Sequence, residues 1–400
     1  MSQMIGGSDY ATELAEITPW ADLASAITQA EYAARLEKVR RLTEAQGADA
    51  LLVGAGASLN YFSGVPWGAT ERMVAMIIPV KGEAIFICPR FELGSFEADQ
   101  KVSGDIRLWE EDESPEALIA DALKGFGVRT LAIAPDMSFH FMDRVRRAAP
   151  DVKILEGTPI IDGCRRTKSP AELALMQQAK NMTLEVQRRT ARILRPGITT
   201  TEVYRFIEAA HRAMGASGNS FCIVLFGEAT AYPHGLPGVG VLKEGDMVLI
   251  DTGCFVQGYT SDITRSYVYG EANEEQRFIW NLEKAAQKAA FEAVKPGVPC
   301  GAIDQAARDV LEAGGLGPDY RLPGLPHRTG HGIGLSIHEA PFLVRGDTTP
   351  LELGMCFSNE PMIVVPGKFG VRLEDHFYVT ETGAQWFTRP SPSIEQPFEA

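Results

Sequence analysis

No apolar run in the chain reaches the length of a bilayer span, which excludes a helical integral membrane protein. The opening residues, MSQMIGGSDYATELAEITPW, lack the basic start and apolar stretch of a secretory signal, so a cytoplasmic location is expected. Positive charge is scarce: 38 Lys and Arg against 52 Asp and Glu leave a net charge of −14. That balance excludes a general attraction to nucleic acid or to an anionic membrane surface. Six cysteines, at 88, 164, 222, 254, 300 and 356, form no C-x-x-C pair, and most stand beside apolar residues. They read as reduced core thiols, not as a disulfide frame or a thiolate zinc site. No G-x-G-x-x-G follows a strand pattern and no Walker loop occurs, so a nucleotide site is unsupported. There is no low-complexity segment, and no internal repeat strong enough to identify.

What remains is an ordinary globular composition, 45% hydrophobic and 22% charged, over 400 residues. At roughly 100–200 residues per domain, that length suggests two or three domains. The first part alternates helix and strand signals. Thr28-x-x-Glu31 reads as a capping box before Tyr32, Leu36, Val39 and Leu42 at helical spacing, with a stop at Gly47. A-L-L-V-G reads as a buried strand, and R-M-V-A-M-I-I-P-V with E-A-I-F-I-C-P as a hairpin about Lys81-Gly82. The strand T-L-A-I-A-P precedes a helix in S-F-H-F-M-D-R-V-R-R-A-A. An α/β N-terminal domain over 1–165 is expected. Near C-R-R-T-K-S-P-A-E-L the pattern changes. Ser169, Pro170 and Glu172 open a long helix, and Thr199-x-x-Glu202 opens another. From Ser220 onward strands dominate, broken by helices at about 274–294 and 301–313. The region 166–400 is expected to be an α+β domain with a largely antiparallel sheet.

Residues 327–341, H-R-T-G-H-G-I-G-L-S-I-H-E-A-P, carry three of the chain's seven histidines between glycines. Upstream, M-V-L-I-D-T-G-C-F-V-Q-G-Y-T-S-D-I-T-R-S-Y-V reads as two strands joined by Gly258, with Asp251 and Asp262 able to lie side by side. Strands usually exclude Asp, and an unpaired buried carboxylate is expensive. Something cationic must compensate. Arg265 is one structural candidate. Downstream, Glu360 ends an apolar strand in S-N-E-P, and Glu374 interrupts another in V-R-L-E-D, where a simple Arg372–Glu374 pair is the alternative. One arrangement unifies them: two Asp, two Glu and one His around two divalent cations, whose charge four carboxylates balance. Oxygen-rich ligation with one imidazole favours Mn²⁺, Co²⁺ or Zn²⁺.

The order D-T-G-x7-S-D-I-T-R, G-H-G-I-G-L-x-x-H-E-x-P, N-E-P, V-R-L-E-D resembles the signature of the pita-bread metallopeptidases, which include methionine aminopeptidase, aminopeptidase P and prolidase. The likeness covers roughly 165–390, and the wording P-H-R-T-G-H-G-I-G-L-S-I-H-E-A-P is most similar to bacterial Xaa-Pro dipeptidases of the xanthomonad type. The resemblance implies an α/β creatinase/prolidase-like domain followed by the α+β pita-bread domain. It implies that Asp251 binds one metal, His331 and Glu360 the other, and that Asp262 and Glu374 bridge them. It further implies a histidine touching the substrate carbonyl (His338), one facing the scissile bond (His234) and one lining the proline pocket (His327). Glu360 would also shuttle the proton, starting from a hydroxide between the two cations.

The implied substrate is a small Xaa-Pro dipeptide and the implied assembly a homodimer. Its carboxylate needs a cation, for which Arg372 and then Arg345 are candidates. Many relatives carry E-P-G-x-Y, whereas here E-P-M-I-V puts Val364 at the tyrosine's place. Tyr232 is the candidate for a compensating hydroxyl. Rival activities on the same scaffold are a hydrolase or lyase of a small zwitterion, as in ectoine hydrolysis, and an aminopeptidase P acting on longer Xaa-Pro peptides. A non-catalytic binding module is opposed by the intact set of ligand residue types.

Overall fold

The computed structural model describes residues 5–398, which form two compact units. One comprises residues 27–165. Its six-stranded sheet runs in the order Asp105–Trp109, Ile85–Pro89, Ala75–Pro79, Ala50–Gly54, Thr130–Ile133, Lys153–Glu156. The two apolar runs around Lys81-Gly82 pair antiparallel, Ala75 opposite Ile87, while the outer strands join in parallel. Helix Gln29–Ala45 is capped by the Thr28 hydroxyl, which accepts the Glu31 amide at 3.2 Å, and it buries Tyr32, Leu36 and Val39. This is the α/β domain expected.

The second unit contains 166–398 together with 5–26, a segment that chain order alone attached to the first domain. The reason is specific contact. Glu13 is fully buried and pairs with Arg189 at 3.2 Å and Arg192 at 3.0 Å, and the Tyr10 ring meets Phe206 edge-on at 5.3 Å. Helices Pro170–Ile193 and Thr200–Ala213 begin with the capping boxes that Ser169/Glu172 and Thr199/Glu202 announce. They are followed by strands Asn219–Phe226, Met247–Val256 and Ile263–Val268, all antiparallel. Helices Glu274–Ala293 and Cys300–Ala313 come next. A five-stranded sheet follows, ordered Glu339–Leu343, Gly330–Gly332, Cys356–Asn359, Asp375–Val379, Ala384–Trp386. The hairpin Met362–Val365/Phe369–Arg372 completes the α+β pita-bread architecture. Its core gathers Trp280, Ile303, Phe357, Val371 and Phe377. The six cysteines are free, and five of them are buried. Among the described residues, no helix is long and apolar enough to cross a membrane.

The structure does contain a repeat. Each half is a helix pair joined by a matching turn, L-R-P-G-I-T in one and V-K-P-G-V-P in the other. Gly197 and Gly297 both adopt φ +85°, which favours glycine, and donate to Leu242 and Leu351 carbonyls at 2.8 Å. Thr199 bridges Val241 just as Pro299 bridges Pro350. Both halves then supply acidic residues to one site.

Candidate metal centre

Asp251 lies in the buried strand Met247–Val256, and Thr264 of the next strand stands directly opposite it. Gly253 makes this possible, because a Cβ there would run into the Ser261 carbonyl. The chain can therefore fold back tightly, and Asp262 arrives beside Asp251 with 4% of its surface exposed. His331 sits in Gly330–Gly332, squeezed between two strands. A Cβ on Gly330 would meet the Ser358 carbonyl, and one on Gly332 the Glu339 carbonyl. The glycines around the histidine are thus a packing requirement.

The five residues converge. His331 Nε2 is 3.2 Å from Glu360 Oε1 and 3.6 Å from Asp262 Oδ2. Its Nδ1 donates to the Gly332 carbonyl at 3.0 Å, which turns Nε2 toward the carboxylates. Ser358 Oγ accepts the His331 amide at 2.9 Å and donates to Glu360 at 3.1 Å. Thr264 Oγ1 donates to Glu374 Oε2 at 2.8 Å, and Arg372 Nη2 to Asp251 Oδ2 at 2.6 Å. Burial, reinforced by the charges of Asp251 and Glu360, pushes the Asp262 carboxyl well above its usual range. Burial with Asp262 and Glu360 does the same to Glu374. For Glu360, burial is outweighed by the hydrogen bond and charge of His331, which hold it down at about 2.

Three carboxylate oxygens there, Asp251 Oδ1, Asp262 Oδ1 and Glu374 Oε1, are buried without a hydrogen-bond partner among the described residues. Converging orphan anions cost heavily unless a cation joins them. Ligand atoms of His331, Glu360 and Glu374 lie within 4.8 Å of one another, as do those of Asp262, Glu374 and His376. The donor set therefore fits hard-to-intermediate divalent cations.

The histidines predicted around the cage fall into place unevenly. The His338 ring meets His331 edge-on at 4.3 Å on an open rim. Partial burial, with the charges of His331 and Arg328, pulls it down to about 4, so it is neutral at pH 7. His327 Nδ1 donates to the Arg328 carbonyl at 2.7 Å, and burial lowers its pKa. His234 is exposed, on a loop tied to the site through its neighbour, since the Pro233 carbonyl accepts Arg372 Nη1 at 3.3 Å.

Tyr232, Arg372 and Arg345 complete the predicted set. The Tyr232 side chain is 41% exposed, on the loop that carries Pro233 and His234. Arg372 is buried and engaged by Asp251, Thr264 and the Pro233 carbonyl. Its guanidinium is thereby held against Asp251. Arg345 is exposed and paired with Asp319. Arg265, in turn, pairs with Asp375 at 2.8 Å and compensates neither Asp251, which meets Arg372 at 2.6 Å, nor Asp262.

Sequence reasoning passed over Thr264, Ser358, Arg328, Asp304 and His376. Thr264 and His376 were within reach, since each lies only two residues after a carboxylate of the cage. Asp304 was not, because its role is a tertiary one. Fully buried, it accepts from Arg308 Nε at 2.8 Å, from Thr329 N and Oγ1 at 3.0 and 2.8 Å, and from Arg345 N at 3.1 Å. Arg308 in turn donates to the His327 carbonyl at 2.6 Å. Together they hold the segment that delivers His331. Asp304→Ala should strand the buried Arg308 at a cost of about 3–5 kcal/mol. Calorimetry should show Tm lower by roughly 10 °C. A shift within about 2 °C would contradict this role for the pair.

Residues 174–381 match the model of metallopeptidase family M24, and residues 35–167 that of the creatinase/prolidase N-terminal domain. A protein named as a probable dipeptidase, PepE, of Mycobacterium bovis is 35% identical over 356 residues, covering 88% of this chain and 93% of that one. Among solved structures, dipeptidase PepE from Mycobacterium ulcerans superposes with a TM-score of 0.84 at 35% identity, over 92% of this chain and 98% of its own. Recombinant prolidase from Thermococcus sibiricus does so with a TM-score of 0.84 at 29% identity, over 91% and 98%.

Proposed function

Because the chain belongs to metallopeptidase family M24 and carries a creatinase/prolidase N-terminal domain, we propose that it hydrolyses Xaa-Pro dipeptides at a centre of two divalent cations. Asp251, Asp262, His331, Glu360 and Glu374 would hold them. The observation that carries this reading is the set of three orphaned, buried carboxylate oxygens, on Asp251, Asp262 and Glu374. When bound, such cations neutralise the cage and acidify a shared water to near neutrality.

The chain's own groups do the rest. Glu360, kept ionised by His331, can take the proton of the attacking water and return it to the leaving imino nitrogen. His338, neutral at working pH, can donate an N–H to the oxygen that gains charge, and His234 stands on a neighbouring loop for the same task. A tertiary Xaa-Pro amide fits this division of labour, because its leaving group is a secondary amine that must be protonated.

The dipeptide carboxylate falls to Arg328. It has no ion-pair partner among the described residues, its guanidinium lies 4.2 Å over the Phe342 ring, and its charge is felt by both His338 and His327. Arg328→Met should raise KM for Ala-Pro by about 10–100-fold, the worth of a charge-assisted hydrogen bond, and leave KM for Ala-prolinamide nearly unchanged. Equal effects on both compounds would remove Arg328 from this role. The reading as a whole is tested by supplying Mn²⁺, Co²⁺ or Zn²⁺ with Ala-Pro, Leu-Pro and Ala-Ala. The first two should be cleaved and Ala-Ala should not. Failure to cleave either proline dipeptide would overturn it.

A further inference from the structure

His376 is a histidine out of place. It follows Glu374 by two residues in V-R-L-E-D-H-F, at the start of strand Asp375–Val379, and both side chains reach the same cluster. Asp375 faces the other way, where it pairs with Arg265. The His376 ring is fully buried, and neither Nδ1 nor Nε2 has a hydrogen-bond partner among the described residues. The other fully buried histidines are satisfied. His211 meets Thr183 at 3.0 Å and Asn219 at 2.7 Å, and His331 donates to Gly332. An imidazole stripped of water and left without a partner is destabilising, and a phenylalanine would fill the space without that cost.

Its surroundings indicate what the ring awaits. Nε2 lies 3.8 Å from Glu374 Oε1, which is itself an orphan. That is too long for a hydrogen bond. It suits two donors on one cation, since bonds of about 2.0–2.2 Å place neighbouring donors roughly 3–4.4 Å apart. Asp262 supplies the third atom, and all three lie within 4.8 Å of one another.

We propose that His376 Nε2 is a direct ligand of the cation held between Asp262 and Glu374, so that the centre carries two imidazoles, one for each ion. This rests on the cation-cage reading, and not on the Xaa-Pro assignment. A second imidazole shifts the preference of that position from Mn²⁺ toward Co²⁺ and Zn²⁺.

The test is made on the intact chain loaded with Co²⁺ alone. Proton NMR of a metal–imidazole centre shows each coordinated ring as an exchangeable, strongly shifted N–H signal. Two such signals are expected, from His331 and His376, and His376→Asn should remove one of them. In calorimetric titrations His376→Phe should weaken binding of one Co²⁺ by at least about 10–100-fold, with a smaller effect on Mn²⁺, while the metal-free circular dichroism spectrum is unchanged. A wild-type protein that binds Co²⁺ and shows a single imidazole signal would overturn the proposal without touching the cage. A wild-type protein that binds no Co²⁺ would overturn both.

Discussion

Glu360→Gln should lower kcat for Ala-Pro by about 10²–10⁴-fold, with KM changing far less. The amide oxygen can still face a cation, but it cannot accept the proton that Glu360 takes from water. The other groups of the cage are already engaged. Ser358 donates to Glu360 at 3.1 Å, and His331 is committed through Nδ1 to the Gly332 carbonyl. Of the other carboxylates, Asp251 is held by Arg372 at 2.6 Å, and burial with like charges disfavours the ionised forms of Asp262 and Glu374 until cations claim them. Steady-state kinetics at saturating metal, with metal content measured on the same sample, separates loss of the proton carrier from loss of an ion. A fall of less than tenfold in kcat with metal retained would show that another group moves the proton.

Removing the metal should make the protein's stability fall as pH rises. In the metal-free protein the Asp262 and Glu374 carboxyls sit above their unfolded values, which are about 3.9 and 4.3. Such groups favour the folded state fully below those unfolded values, and the benefit is lost as pH rises through the raised folded ones. His331, also raised, acts in the same direction. Glu360, held at about 2, acts oppositely, but its effect lies below the unfolded carboxylate range. The histidines that burial lowers, His211, His327, His338 and His376, also act oppositely, but only below their unfolded value of about 6.5. Chelator-treated protein should therefore melt at progressively lower temperature above about pH 7, where those histidines no longer titrate. Protein with metal at about 100 times its Kd should gain at least about 2.7 kcal/mol, and more at the alkaline end, where the cation replaces protons that would otherwise be required. Differential scanning calorimetry with and without metal measures the gap. A gap that is constant with pH, or largest at pH 5, would contradict the carboxylate cage.

Much of this could be read from the chain alone, and the reasons are local. Ser169-Pro170-x-Glu172 and Thr199-x-x-Glu202 are self-contained helix starts, because both partners of the capping box lie within one turn. Asp251, Asp262 and Glu374 stood out because each interrupts a run of apolar strand residues, and all three are buried. What depended on distant partners was hidden. Which arginine is free cannot be seen in the sequence, because Arg372 is claimed by Asp251, 121 positions away, while Arg328 rests on an aromatic ring. The repeat was hidden for a different reason. Only Pro and Gly are shared outright between L-R-P-G-I-T and V-K-P-G-V-P, and its equivalence lies in φ angles and hydrogen bonds. The placement of residues 5–26 likewise depends on Glu13 meeting Arg189 and Arg192. His376 was passed over because an isolated histidine in a strand is usually satisfied by its core, and here it is not.

The central claim is that this site is a two-cation peptidase centre for proline dipeptides. It is met most directly by titrating metal-free protein with Mn²⁺, Co²⁺ or Zn²⁺ while bound metal and Ala-Pro hydrolysis are followed together. The account predicts no hydrolysis in the chelated protein and activity that is complete as the second equivalent binds. Full activity with one equivalent, activity that survives chelation, or two bound ions without cleavage of any Xaa-Pro dipeptide would contradict it.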